Sequence, residues 1–310
     1  MRSLIIHNPR SGFGSDAIFE FERMLVDPGD ECCIRLLEDD TSPAEVLGDA
    51  EEFDVCVFSG GDGTVSNMLC AVAYRDVTAC VFPSGTANLL YANIGNAFEP
   101  AALARACKNG VTCPIDLGEI SWIDEQGAER TRGFALMSGI GYDAQLMRAA
   151  VPNKQTMGQA AYFAAALSQP RVAHADFSLT IDGRTYAHQG IVCLVADTAT
   201  LQGDVELVPN CRLNDGMLDV ALAETKHVGG LARPILASLL DKTGKTLGRP
   251  AIVHHQGSVI EVRASEALPL EIDGEAIEGL VTGYTARVLK DAVRIIVDPS
   301  SPYYPASDRQ

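Results

Sequence analysis

The sequence predicts an α/β protein of two domains: an N-terminal parallel-sheet nucleotide-binding domain and a C-terminal antiparallel β-sandwich domain. Three observations carry that prediction. Short, unbroken apolar runs alternate with helical patterns through the first third, as in a parallel sheet covered on both faces. Beyond Asp116 the strands lengthen, some alternate polar with apolar residues, and turn dipeptides such as Asp182-Gly183 and Asp215-Gly216 separate them. At 310 residues, 47% hydrophobic and 21% charged, the chain can fill two cores, and wholesale disorder is excluded.

In order, Ser3 to His7 reads as the first strand, and Asp16 to Leu25 as a helix with Ile18, Phe21, Met24 and Leu25 on one face. Cys32 to Leu37 and Asp54 to Ser59 are the next strands. A helix follows from about Val65 to Tyr74, then a strand from Thr78 to Phe82 and a helix near Asn88. The domain boundary falls near Leu117. The second domain is expected to hold strands at Phe177–Ile181, Gln189–Ala196, Met217–Ala223, Ser258–Ala264, Leu268–Asp273 and Thr282–Leu289. Its two helices are expected around Met157–Leu167 and Gly229–Leu240. A closing strand, Val293–Asp298, is expected to return to the first domain. The domains are therefore 1–117, completed by 293–310, and 118–292. The tail from Pro299 is expected to fray.

Lys plus Arg number 24 and Asp plus Glu 41, a net charge of −17. Such a chain lacks the clustered cations that nucleic acid requires. The balance also disfavours adhesion of the whole molecule to anionic lipid, although a local basic patch can still provide it. Eight acids between Glu38 and Asp54 read as a solvated face. No stretch reaches the roughly 18 apolar residues of a membrane span, and the N-terminus reads as a strand and not a signal peptide. Nine cysteines without a C-x-x-C spacing are expected to be reduced thiols of a cytoplasmic protein, with Cys32, Cys33, Cys56, Cys70 and Cys80 as small core residues. His254-His255 reads as a strand end in preference to a ligand pair.

The most informative segment is Ser59-Gly60-Gly61-Asp62-Gly63-Thr64, where a buried strand meets a helix. Three glycines leave backbone N–H groups uncovered at a helix N-terminus, a place that binds anions. Asp62 is an acid where negative charge is otherwise invited. It fits if Mg²⁺ carried by a nucleotide lies between it and the phosphates. Asn8-Pro9-Arg10-Ser11-Gly12 follows the first strand, and Pro83-Ser84-Gly85-Thr86-Ala87-Asn88 follows the fourth. Ligands of open parallel sheets bind past the C-terminal strand ends, so the three turns are expected to line one nucleotide cleft. Neither a Walker loop nor a Rossmann fingerprint is present.

The set NPRSG at 8–12, GGDGT at 60–64, PSGTAN at 83–88 and IDGE at 272–275 resembles the diacylglycerol kinase catalytic-domain family, which includes soluble bacterial lipid kinases and sphingosine and ceramide kinases. The likeness runs from about Ser3 to Asp298. It implies ATP binding by Asn8 to Gly12, by Gly60, Gly61, Asp62, Gly63, Thr64, Val65 and Ser66, and by Thr86, with Ser84, Gly85 and Asn88 from the same turn. It implies that Glu275 is the general base for a lipid hydroxyl. Leu201 to Met217 resembles the family's metal-stabilised loop, which implies Mg²⁺ held by the Asp215 carboxylate and the carbonyls of Arg212 and Met217. From residue chemistry alone, a type I turn at Asn214-Asp215-Gly216 needs no metal. The chain departs from the commoner pattern at Met68, Leu89 and Ala92, which puts the identity of the acceptor lipid in question.

The resulting expectation is an ATP- and Mg²⁺-dependent kinase of a lipid alcohol, with diacylglycerol as the first acceptor and ceramide or a sphingoid base as alternatives. An NAD kinase-like enzyme and a non-catalytic nucleotide or lipid sensor are the readings from other classes. Expected partners are the lipid and, transiently, the inner face of the membrane; a homodimer stays open. Lys226 to Pro250 carries five Lys or Arg against one acid, beside an amphipathic helix that could rest on that membrane.

Overall fold

The computed structural model describes residues 1–11, 16–38, 41–141, 174–198, 200–201, 205–206, 208, 211–226, 230, 241 and 247–306. Two compact units are formed, Met1–Leu117 with Lys290–Gln310, and Gly118–Leu289. The expected helices at Met157–Leu167 and Gly229–Leu240, and most of the basic segment from Lys226 to Pro250, lie outside the described residues.

In the first unit, strands β1 (Arg2–His7), β2 (Glu31–Leu36), β3 (Val55–Gly60) and β4 (Thr78–Pro83) pair in parallel in the order β2-β1-β3-β4. β1 and β3 are buried almost end to end, as their unbroken apolar sequences require. The helices are α1 (Ala17–Leu25), α2 (Pro43–Val46), α3 (Asp62–Ala71), α4 (Leu89–Ile94) and α5 (Pro100–Asn109). α1 buries Ile18, Phe21 and Leu25. Met24 is instead 39% exposed, because two successive three-residue steps from Ile18 carry it about 120° round the helix, whereas Leu25 returns to within about 20° of Ile18. α3 starts three residues earlier than expected. Glycines discourage helix interiors but are tolerated in a first turn, and Gly61 is its N-cap. Of the cysteines expected in the core, Cys56 and Cys80 are buried; Cys32, Cys33 and Cys70 are only partly covered, the first two on edge strand β2.

The remaining strands are β5 (Thr112–Ile123), β6 (Glu129–Phe134), β7 (Met137–Gly141), β8 (Ala175–Ile181), β9 (Arg184–Gly190), β10 (Val192–Ala196), β11 (Thr200–Leu201), β12 (Val205–Glu206), β13 (Leu218–Ala223), β14 (Ile252–Gly257), β15 (Val259–Leu268), β16 (Leu270–Ile272), β17 (Glu275–Ala276) and β18 (Val281–Ile296). The second unit is an antiparallel sandwich. One sheet runs β14-β13-β10-β7-β16-β17; in the other, β18 pairs β15, which continues through β8 to β9. Phe177, Leu179, Ile260 and Val262 of one sheet share a core with Ile140, Val195, Val220 and Leu222 of the other.

Two expectations about these strands need correction. Gln189–Ala196 is not one strand: the chain leaves one sheet at Gly190 and enters the other at Val192. Gly190 allows the change, since a Cβ there would lie 2.4 Å from the Ala223 carbonyl oxygen. Conversely, Thr282–Leu289 and Val293–Asp298 are parts of one 16-residue strand, β18. It kinks at Asp291, whose φ is +50° and whose amide donates to Asp116 Oδ1 at 2.7 Å. The end of β18 joins the first unit's sheet, with Arg294 opposite Thr78 and Ile295 opposite Ala79. Residues Pro299–Ala306, expected to fray, are held in part by the bond from Ser301 Oγ to the Ile94 carbonyl at 2.6 Å.

Candidate functional site

Three strand-end turns meet in the first unit. The Asn8 amide donates to the Ser59 carbonyl at 2.8 Å, and Asn8 Nδ2 reaches Thr64 Oγ1 at 2.9 Å. Asn8 Oδ1 accepts from the Arg10 amide, and the Asn8 carbonyl from the Ser11 amide, folding Asn8–Ser11 into a tight turn. Ser11 Oγ then accepts from the Gly61 amide at 3.0 Å. Gly85 sits against the second turn so closely that a Cβ would lie 2.6 Å from Gly61 Cα. Ser59 Oγ and Ser84 Oγ are 3.1 Å apart, and buried His7 Nδ1 is 2.9 Å from Ser59 Oγ.

α3 springs from this junction with no side-chain cap on its first turn. Val65 begins the helical ladder by donating to the Gly61 carbonyl, so the amides of Asp62, Gly63 and Thr64 precede it. A first turn of this kind presents oriented N–H groups and the positive end of the helix dipole.

Asp62 makes a contact that joins two of the turns. Its Oδ1 accepts from the Leu90 amide at 3.1 Å, so the acid of the second turn caps α4 across the third turn. Burial pushes its carboxyl up, while the backbone amides of Leu90, Leu89 and Asn88 pull it down. Asn88, the N-cap residue by position, provides no side-chain cap to α4. It lies in the left-handed region (φ +50°), and its amide is committed to Gly85: Gly85 N donates to Asn88 Oδ1 at 2.8 Å and Asn88 Nδ2 to Gly85 O at 2.9 Å. Asn88 therefore shapes the turn. Val65 and Ser66 are buried in α3, whereas Pro9, Arg10 and Thr86 are exposed; Gly12 lies outside the described residues.

In the second unit, Asp273-Gly274 is a two-residue hairpin loop between β16 and β17, with Ile272 opposite Glu275. Both loop residues have positive φ, +49° and +78°, as a type I′ turn demands of an Asp-Gly pair. The Asp273 carboxylate is buried and accepts from three backbone amides, Ala135 at 3.0 Å, Leu136 at 3.0 Å and Met137 at 2.9 Å. That anchor fixes the hairpin and with it Glu275. Arg132 Nη2 donates to Glu275 Oε2 at 2.6 Å. Neither Arg132 nor the anchoring role of Asp273 was legible in sequence, because their partners lie more than a hundred residues away.

Arg212, Asp215 and Met217 share one turn. Asp215 Oδ1 accepts from the Met217 amide at 3.0 Å, and Oδ2 from Gln256 Nε2 at 2.9 Å. Burial pushes the neighbouring Cys211 thiol up, and Asp219, Asp197 and Asp215 push it further, so negative charge is concentrated there. Among the described residues no group of three His, Cys, Asp or Glu side chains is arranged to hold a metal. A single carboxylate with carbonyls and water, in a negative field, nevertheless suits a hard cation.

Over residues 2–120 the chain matches the family model described as diacylglycerol kinase catalytic domain. Over residues 137–297 it matches that of the YegS C-terminal NAD kinase beta sandwich-like domain. A diacylglycerol kinase of Bacillus subtilis (strain 168) is 28% identical over 292 residues, covering 88% of this chain and 89% of the relative. A probable lipid kinase YegS-like protein of Pseudomonas aeruginosa is 24% identical over 310 residues, covering 96% of this chain and 95% of the relative. The solved structure of a putative diacylglycerol kinase from Bacillus anthracis str. Sterne superimposes with a TM-score of 0.72 at 20% identity. It covers 97% of this chain and 98% of that one, a likeness of fold.

Proposed function

The chain belongs to the diacylglycerol kinase-like family, and from that premise we propose an ATP-dependent lipid kinase that transfers the γ-phosphate to the hydroxyl of diacylglycerol. The observation that carries the nucleotide half of this reading is the junction of three strand-end turns around the uncapped start of α3. The amides of Gly63 and Thr64, with the Asn8–Ser11 and Ser84–Thr86 turns, are the groups we assign to the triphosphate. Asp62 would face the Mg²⁺ that ATP brings. Its bond to Leu90 gives it a second task, fixing the third turn relative to the second.

Glu275 is the assigned base. A carboxylate is a far weaker base than an alkoxide and does not deprotonate an alcohol in advance, so proton transfer accompanies a loose transition state. Arg132 holds one carboxylate oxygen and orients the other. Acceleration comes mainly from in-line positioning and from neutralising charge on the β,γ-phosphates. We assign a structural Mg²⁺ to Asp215 and the carbonyls of Arg212 and Met217, where these oxygens would hold it and it would stiffen the turn before β13. Among the described residues no helix is long and apolar enough to cross a membrane; we assign the protein a peripheral encounter with its lipid.

The test is incubation with labelled ATP, Mg²⁺ and a panel of diacylglycerol, ceramide and sphingoid bases in mixed micelles, with NAD in a parallel reaction. Labelled phosphatidate is expected. Ceramide or sphingoid phosphate as the sole product would reassign the acceptor. Labelled NADP, or ATP binding with no product, would overturn the kinase reading.

A further inference from the structure

Outside the site above, the second unit gathers two imidazoles and a carboxylate from strands far apart in sequence. His188 lies on β9, the edge of one sandwich sheet, and His255 on β14, the edge of the other. Their Nε2 atoms are 3.1 Å apart, and His188 Nδ1 is 2.9 Å from Glu224 Oε1. Tyr186 covers the His255 ring, with centroids 4.4 Å apart. The adjacent His254 takes no part: strand alternation turns it to the other face, where Nε2 lies 2.6 Å from Asp219 Oδ1.

The protonation of this cluster is constrained. An ionised carboxylate only accepts, so His188 donates through Nδ1. In neutral His188 the Nε2 lone pair then faces His255, which must supply the single proton between the rings. Two bonds of about 2.1 Å to one tetrahedral ion place the nitrogens about 3.4 Å apart, close to the separation already present. A carboxylate behind the distal nitrogen is also how metal-bound imidazoles are oriented and made more basic. A cavity of about 840 Å³ borders His188 and Glu224.

We propose that His188 and His255 bind one borderline divalent transition-metal ion, Zn²⁺ in particular, through their Nε2 atoms, with Glu224 orienting His188. The ion replaces the shared proton, which moves to Nδ1 of His255, so two neutral rings lose no proton to solvent. Imidazole nitrogen selects Zn²⁺, Ni²⁺ or Cu²⁺ over Mg²⁺ and Ca²⁺, so the site is chemically distinct from any that serves ATP. Held there, the ion straps together strands β9 and β14 of the two sandwich sheets. This inference is independent of the kinase reading.

The test uses the untagged full-length protein, titrated with Zn²⁺ by calorimetry in excess Mg²⁺. One Zn²⁺ is expected that is displaced by neither Mg²⁺ nor Ca²⁺. His188→Asn and His255→Asn should each weaken it at least ten-fold. Glu224→Gln should weaken it several-fold, and Cys32→Ser with Cys33→Ser should leave it unchanged. Nitrogen-15 imidazole spectra of the wild type provide a readout that needs no variant. Zn²⁺ should move the Nε2 signals of His188 and His255 and spare the other four histidines. No uptake, uptake equal in the His variants and the wild type, or unmoved His188 and His255 signals would overturn the proposal.

Discussion

Single residues carry the chemistry, and each can be challenged separately. Gly61 is the most revealing. Its φ of −77° suits any residue, and a Cβ there would meet nothing closer than 4.0 Å. Gly61→Ala should therefore cost no more than about 1 kcal/mol, the ordinary loss of a glycine N-cap, yet place a methyl over the amides assigned to phosphate. The expected outcome is a near-normal thermal midpoint with ATP affinity reduced at least ten-fold; unchanged affinity would remove the first turn of α3 from the nucleotide site. Gly85→Ala, by contrast, should destabilise, because its Cβ would strike Gly61 Cα at 2.6 Å. Glu275→Gln keeps the hairpin and an acceptor for Arg132 but cannot take a proton. It should lower kcat roughly 10²- to 10⁴-fold with little change in the KM for ATP; near-normal turnover would exclude Glu275 as base. His7 yields a pH prediction. Burial holds its pKa below the ordinary 6.5, so the neutral ring belongs to the fold and the unfolded chain binds its proton first. The contribution is complete above about pH 6.5 and is lost as pH falls through the lowered folded value. Thermal midpoints should decline over that window, and the decline should be shallower in His7→Gln.

At the scale of elements, the short turns connecting strands do most of the positioning. The β16–β17 hairpin depends on Asp273, whose carboxylate satisfies three buried amides. Asp273→Ala strands all three, so a loss of about 3 kcal/mol or more in denaturant unfolding is expected. A loss below about 1 kcal/mol would mean that the strand pairing holds Glu275 without its anchor. What could be read from sequence follows the same division. The rim turns were legible because glycine, small hydroxyls and amides at strand ends announce their chemistry locally. The cap from Asp62 to α4 was not, since it joins turns 28 residues apart. Nor was the meeting of His188 and His255, which depends on where two sheet edges fall. The strand expected at Gln189–Ala196 spans a change of sheet that only Gly190 marks in the sequence. The two strands expected at Thr282–Leu289 and Val293–Asp298 are one, because β18 continues through the positive φ of Asp291.

At the scale of the whole molecule, the two units are not successive segments. The chain passes between them in β5 and again in β18, so the first unit is built from both ends of the sequence. The returning segment does structural work there. Arg294 and Ile295 pair with β4. The Asp298 amide donates to Asn96 Oδ1 at 2.9 Å, Asp298 Oδ2 accepts from the Ala97 amide at 2.7 Å, and Asn96 Nδ2 donates to the Ile296 carbonyl at 3.0 Å. Val293, Ile295, Ile296 and Val297 are all buried. A fragment ending at Leu117 would leave β4 as an unpaired edge and expose the surface those four side chains cover. It would also leave the Asn96 side chain without these partners. Such a fragment should show no cooperative unfolding and poor dispersion in amide spectra. Joining residues 290–306 to it through a flexible linker should restore both, together with whatever ATP affinity the three turns possess on their own. A fragment of residues 1–117 that unfolds cooperatively at the same midpoint as the linked form would show that the returning strand is dispensable to the first unit.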